Sequence, residues 1–307
     1  MRNYLNAQVW DGKPRLEPWL TTYFGAEATD YTRAIGSRWL IQAVARIFEP
    51  GCQADYILIL EGPQGRLKST SLRTLAVNPE WYTGRISQIG SKEALIEIGG
   101  VWFIEDAEMV TLNRAASGAS KQFITEPTDR YRPPYGRHTI RKPRSCVFVA
   151  TINPPAGGYL KDPTGARRYW PVVCDTIDRD GLERDRDQLW AEAVHLYRAE
   201  HPRYLETAEL EALARAEQDA RRIVDAWEGP VRSWVGHRRN IGRLETVTKG
   251  ALGIAPQDQT PSIQRRVVAI LTSLGFTKCR PRTGKGKREH HYTRAPAQKV
   301  TTNRDDQ

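Results

Sequence analysis

Lys68, Ser69 and Thr70 follow a glycine-bearing turn, Gly62-Pro63-Gln64-Gly65-Arg66-Leu67, and that turn follows the apolar run Tyr56-Ile57-Leu58-Ile59-Leu60. A buried strand, a turn that brings backbone N–H groups together, and a lysine at the start of a helix are what phosphate binding needs. The N–H groups and the positive helix end cradle the anion, the lysine reaches its outer oxygens, and the Ser69 hydroxyl becomes a ligand for Mg²⁺. The usual order has glycine directly before the lysine, and Leu67 stands there instead. If that position requires positive φ, leucine costs about 1–2 kcal/mol of strain. An ordinary tight strand-to-helix turn would use similar residues, so the loop needs partners.

Acidic and polar residues recur at the ends of two further apolar runs. Val101-Trp102-Phe103-Ile104 ends in Glu105-Asp106-Ala107-Glu108, and Val147-Phe148-Val149-Ala150-Thr151 leads to Asn153. In an ATP-hydrolysing site such carboxylates hold Mg²⁺ and orient the attacking water. Glu105 is the candidate for the metal, Asp106 or Glu108 for the water, and Asn153 for the γ-phosphate. Asp162-Pro163-Thr164-Gly165-Ala166-Arg167-Arg168 then presents two arginines, either of which suits a finger on a transferring phosphate. Between the acidic and Asn153 segments lie Arg130, Tyr131, Arg132, Tyr135, Arg137, Arg141, Lys142 and Arg144. Arginines that follow phosphate, interleaved with tyrosines that stack on bases, suit a single-strand channel.

Several of these blocks resemble the virulence-associated protein E family. They are Trp10-Asp11-Gly12-Lys13-Pro14-Arg15, Glu61-Gly62-Pro63-Gln64-Gly65, Asp129-Arg130-Tyr131-Arg132-Pro133-Pro134-Tyr135-Gly136-Arg137 and Leu160 to Val172, with Gln188-Leu189-Trp190-Ala191-Glu192-Ala193 continuing the match. The resemblance runs from about Tyr4 to about Tyr204. It implies a phage, prophage or plasmid replication protein with a superfamily 3-like, AAA+-related helicase core; the arginine-finger reading of Arg167 or Arg168 adds the expectation of a homo-oligomeric ring, a hexamer, with ATP and Mg²⁺ at subunit interfaces. It also implies that the basic segment around Tyr131 and Tyr135 is a pore loop; the other role open to those arginines is contact with a neighbour's ATP. Longer members carry a primase-like part, which makes a primase a candidate partner. The chain departs from the family pattern at Leu67 and at Asp106, which stands where an apolar residue is usual.

The elements that must position these residues follow from the pattern. Residues 1–50 read as helical, with Tyr31, Ile35, Trp39, Leu40, Val44, Ile47 and Phe48 at helical spacing after Asp30 as a candidate cap and before Pro50-Gly51. Residues 51–175 alternate strands and helices, as a parallel sheet does, within an α/β P-loop NTPase core expected over 51–204. Leu182–Trp227 reads as helical, with 205–229 a connector ended by Gly229-Pro230. Residues 230–295 have the rhythm of a winged helix, its recognition helix beginning near Pro261 with Gln264, Arg265 and Arg266, and its wing tipped by Lys285, Lys287 and Arg288. Residues 296–307 read as a disordered tail.

Charge singles out the same C-terminal region. Gly229–Gln307 holds 16 Lys+Arg against 5 Asp+Glu, whereas residues 1–228 hold 30 against 31, so the net +10 belongs to the last quarter. Such clustering favours a polyanion, and duplex DNA is the candidate. The first residues carry no apolar core of signal-peptide length and no run suits a bilayer, which points to the cytoplasm, and the resemblance implies that of a bacterial host. The scattered Cys52, Cys146, Cys174 and Cys279 argue against a zinc site or disulfide framework, and adjacent His290 and His291 would point to opposite strand faces. The expectation is an ATP-dependent DNA helicase or translocase. The alternative is a DNA-binding initiator or assembly protein whose loop binds nucleotide without productive hydrolysis. A small-molecule kinase would have no use for the basic C-terminal region.

Overall fold

A computed structural model describes residues 1–114, 117–161, 166–279 and 290–294. The chain divides into two compact units, Met1–Ile223 and Val224–Gln307.

The first unit opens with α1 (Arg2–Ala7), α2 (Trp19–Phe24) and α3 (Asp30–Phe48). Asp30 is the first helical residue rather than the cap. Thr29 caps, its hydroxyl accepting from the Thr32 N–H while the Thr32 hydroxyl accepts from the Thr29 N–H, which satisfies two donors the helix cannot pair itself. The chain then alternates through β1 (Ile57–Glu61), α4 (Lys68–Leu75), β2 (Tyr82–Thr83), α5 (Lys92–Glu97), β3 (Phe103–Ala107), α6 (Val110–Arg114) and α7 (Ser117–Thr125). A hairpin of β4 (Thr128–Tyr131) and β5 (Ile140–Pro143) precedes β6 (Val147–Ile152), β7 (Tyr169–Val173), α8 (Arg179–Arg198) and α9 (Ala208–Ala220). The helical stretch expected over 182–227 is thus two helices, with 199–207 between them.

Five strands form one parallel sheet in the order β2-β3-β6-β1-β7. Successive residues of a strand face opposite sides, and both sides are covered. Leu58, Leu60, Phe103, Val147 and Val149 share a core with α3 and α8, whereas Ile57, Ile59, Ile104, Phe148 and Ala150 pack with Ala94, Phe123 and Ile124. Buried indole N–H groups tie the first layer down: Trp102 donates to the Ala43 carbonyl and Trp190 to that of Leu75. α9 packs against α3 and β7, so most of the expected connector belongs to this unit. Because the sheet is parallel, the segments after β1, β3 and β6 all emerge at its carboxyl edge.

The second unit contains α10 (Glu228–Val235), α11 (Leu244–Leu252), α12 (Pro261–Ser273) and an antiparallel pair, β8 (Phe276–Cys279) with β9 (His291–Arg294). Gly229-Pro230 opens α10 rather than ending a helix; proline suits a first turn, where its missing N–H has no partner to lose. Its own core gathers Val231, Val235, Val247, Val267, Ile270, Leu271, Phe276 and Tyr292. An antiparallel bridge from Asn240 to Thr293 adds a third short segment beside β9. No described helix is long and apolar enough to cross a membrane.

Candidate nucleotide site and basic surfaces

The turn after β1 is built by two backbone constraints. Gly62 lies so close to the residue that follows β7 that a Cβ there would meet the Cys174 carbonyl oxygen at 2.8 Å. Leu67 is left-handed, φ 60° and ψ 12°, and caps α4 without a side-chain hydrogen bond. The strain expected at this position is therefore present. Leu67 is also 48% exposed, so packing offsets little of it. Replacing Leu67 by glycine should raise stability by about 0.5–1 kcal/mol, the relieved strain less glycine's greater unfolded-state freedom. Chemical denaturation measures this, with Leu67→Ala as the comparison; a Leu67→Gly protein less stable than wild type contradicts it.

Pro63 to Leu67 are exposed, Lys68 is buried, Ser69 half-buried and Thr70 exposed. The Lys68 ammonium donates to the carbonyls of Gly62 (2.5 Å) and Pro63 (2.8 Å), curled inside the turn that it closes. Ser69 donates its hydroxyl to Glu105 at 2.6 Å. Tyr82 and Thr151 also donate their hydroxyls to the Glu105 carboxylate, which is only 2% exposed. Three segments distant in sequence thus converge on one carboxylate at the sheet's carboxyl edge. Sequence reasoning found Ser69 and Glu105 but missed Tyr82 and Thr151. Thr151, two residues before Asn153 on an apolar run, carried a faint signal; Tyr82 carried none.

The other two acids separate. Asp106 is turned into the protein, where its oxygens accept from the backbone N–H groups of Thr111 (3.0 Å) and Leu112 (2.8 Å) at the start of α6. Burial raises its pKa, against the pull of those N–H groups. Glu108 is exposed and left-handed, φ 55°, followed by Met109 at φ 49°. Its backbone N–H donates to the Thr151 carbonyl (2.7 Å), and its carboxylate accepts from the Asn153 N–H at 3.3 Å. Asn153 and Glu108 are therefore neighbours on the same edge as Lys68 and Glu105.

Arg167 and Arg168 lie elsewhere. They end a short 3₁₀ turn directly before β7, whose first residue pairs with Ile57 at the start of β1. They sit at the amino edge of the sheet, a strand length away from Lys68, roughly 13 Å at ~3.3 Å per residue. There they line a cavity of about 370 Å³ with Asp55, Tyr56, Trp170, Glu211 and Arg215. Residues 162–165 of the same motif lie outside the described residues.

In the hairpin, Arg130 pairs directly across from Arg141, and both are exposed. Like charges placed opposite one another are unfavourable unless an anion lies between them. Arg132 donates to the Gly136 carbonyl at 2.7 Å, Tyr135 at the tip is fully exposed with φ 60°, and Arg137 and Lys142 are exposed. Arg144 is different. It is buried in a bidentate pair with Asp129, stacked on Phe123 and donating to its carbonyl, so it fixes the hairpin's base and is not a surface cation.

On α12 of the second unit, Arg265 is exposed, its Nε donating to the Pro261 carbonyl at 3.2 Å, and Gln264 is half-buried beside Arg243, Lys278 and His290. Arg266 is held by Asp225 through two 2.8 Å bonds and lies 3.8 Å over the Trp227 ring, so its charge is already engaged. Lys285, Lys287 and Arg288 lie outside the described residues.

A model of the virulence-associated protein E-like domain matches residues 5–223, which span the whole first unit but its first four residues. The chain belongs to the virulence-associated protein E-like family. Among curated proteins none matches it. Two apo structures of the NrS-1 C-terminal region are similar in fold: each is 12% identical with a TM-score of 0.52, covering 95% of this chain and 78% of that one. The likeness extends the shared architecture beyond the family domain into the second unit.

Proposed function

We propose that this family member is an ATP-dependent DNA helicase or translocase of phage or plasmid replication, a P-loop NTPase with a winged-helix-like second unit that acts as a homo-oligomeric ring. The observation that carries the reading is the meeting of Ser69 and Glu105 at 2.6 Å beside Lys68, at the edge of a parallel sheet where such folds bind ligands. A hydroxyl and a carboxylate oxygen placed together suit a hard, oxygen-seeking cation, so the donor set fits Mg²⁺. Held there, Mg²⁺ would supply neutralisation of phosphate charge. Lys68 leaves the Gly62 and Pro63 carbonyls to meet phosphate oxygens. Ser69 and Glu105 hold the metal, with Tyr82 and Thr151 keeping the carboxylate oriented. Glu108 orients water and Asn153 meets the γ-phosphate; Asp106 is ill suited to either task because both its oxygens are engaged by backbone. Arg130 and Arg141, facing each other across the hairpin, supply the phosphate-gripping pair for single-stranded DNA. Arg265 and the basic second unit suit duplex.

A second reading has one observation in its favour. The strained Leu67 favours an initiator or assembly protein that binds ATP and hydrolyses it poorly. ATP turnover with and without single-stranded DNA, read with native mass, separates the two. DNA-stimulated hydrolysis by an oligomer supports the helicase, nucleotide binding without turnover supports the initiator, and absence of nucleotide binding defeats both.

A further inference from the structure

The last residue of β1 is charged although the rest of that strand is apolar and fully buried. Glu61 is 2% exposed, at the carboxyl end of a strand with neighbours on both sides. Both its oxygens are satisfied from far along the chain: Arg221 donates Nε to Oε1 (2.5 Å) and an Nη to Oε2 (2.7 Å), and the Tyr159 hydroxyl donates to Oε1 (2.6 Å). Arg221 also meets Glu217 one turn earlier on α9. Well-packed apolar residues in place of the whole pair would be about as stable, because removing each ion's hydration costs several kcal/mol, although removing one partner alone would strand the other. Stability alone does not account for the pair.

Its connections suggest what does. Glu61 is bonded to Gly62, whose carbonyl is one of the two acceptors holding Lys68 in the turn. Arg221 therefore braces the residue from which the phosphate loop departs. The Arg221 backbone grips the second loop of the same edge: its carbonyl accepts from Tyr159 (2.9 Å) and Leu160 (3.0 Å), and Ile223 N–H donates to the Leu160 carbonyl (2.9 Å). That contact is too close for a side chain at Gly158, where a Cβ would meet the Arg221 oxygen at 2.6 Å. Residues 158–160 belong to the connection between Asn153 and Arg167. Two residues after Arg221, at Ile223, the first unit ends and the chain continues into the basic unit.

We propose that Arg221 is a positioning residue which, through Glu61 and Tyr159, couples the phosphate loop to DNA binding by the C-terminal unit. The inference rests on the proposed nucleotide and DNA sites. Phosphate draws Lys68 away from the Gly62 and Pro63 carbonyls, the turn at Glu61–Gly62 resettles, and the Glu61–Arg221 pair carries that change to the segment where the second unit begins. Linkage makes the effect reciprocal: DNA must alter nucleotide affinity by the same factor by which nucleotide alters DNA affinity.

The test measures binding of a fluorescent ADP analogue to the full chain with and without a short duplex DNA, and takes the ratio of the two affinities. Any weakening of the basal site cancels in that ratio. Wild type should give a ratio of at least about fivefold, at the lower end of allosteric couplings. Arg221→Gln leaves Glu61 buried and unpaired and is at risk of unfolding, so Glu61→Gln/Arg221→Gln, which removes both charges, is the deciding variant. Its ratio should fall to within about twofold of unity, with Tyr159→Phe intermediate. A wild-type ratio of one, or a ratio unchanged in the double variant, overturns the coupling while leaving the functional reading intact. A wild type that binds neither probe overturns both.

Discussion

Lys68→Ala should lose ATP turnover by about 10²–10³-fold or more and nucleotide affinity by roughly 10–100-fold, while the protein stays folded. The first figure is the usual effect of deleting one donor aimed at developing charge, and the second that of a charged hydrogen bond to phosphate. The fold should survive because the ammonium's partners here are two carbonyls of its own loop, Gly62 and Pro63, at an edge open to water. Nothing in the cores on either side of the sheet depends on it: α4 is anchored by Leu72 and Leu75. Titration with a nucleotide analogue gives the affinity, a phosphate-release assay the turnover, and thermal unfolding the control. ATP affinity equal to wild type in the folded variant would remove the loop from any account of function. Ser69→Ala provides an internal check, since it deletes the proposed metal ligand and leaves the lysine, and should weaken Mg²⁺-dependent turnover more than metal-free nucleotide binding.

The parts of this site that were legible in sequence share a physical cause. β1, β3 and β6 are inner strands of a parallel sheet, covered on both sides, so each opens on an apolar run, and the polar residues at its carboxyl end mark the candidate site's edge. The two edge strands did not announce themselves. β2 has two residues, and β7 contains Pro171, which an inner strand excludes and an edge strand tolerates. The sequence also said little about which members of a like-charged set face inward. Arg144 looks like its neighbours along the hairpin, but Asp129, fifteen residues earlier, draws it into the core. Arg266 differs from Arg265 only because Asp225 and Trp227 lie on its side of α12. Asp106 and Glu108 could not be ranked from spacing; the backbone N–H groups of Thr111 and Leu112 decide between them. Glu61, singled out as part of a family block, gave no hint of Arg221, because the two meet only when α9 folds back onto the sheet.

Arg167 and Arg168 should act on a neighbouring subunit's ATP rather than on their own. Within one chain they stand at the amino edge of the sheet, and Lys68, Glu105 and Asn153 stand at the carboxyl edge, so no side-chain rotation joins them. Their base is firm: Trp170 is fully buried and stacked on Tyr56 at 4.1 Å, which fixes the start of β7 and the turn before it. Arg167 is exposed, whereas the Arg168 Nε is buried without a hydrogen-bond partner among the described residues. Arg167 is accordingly the better-placed candidate for the proposed finger, with Arg168 as its support. Arg167→Ala should keep ATP affinity within a few-fold of wild type and lose ~10²-fold or more in turnover, at the low end of what such arginines contribute. Mixing it with Lys68→Ala protein should restore activity that neither has alone, because some interfaces in a mixed ring set an intact Lys68 against an intact Arg167. A subunit that acted alone would gain nothing from mixing. Normal turnover by both arginine variants, or full activity from a strictly monomeric protein, would exclude the ring mechanism.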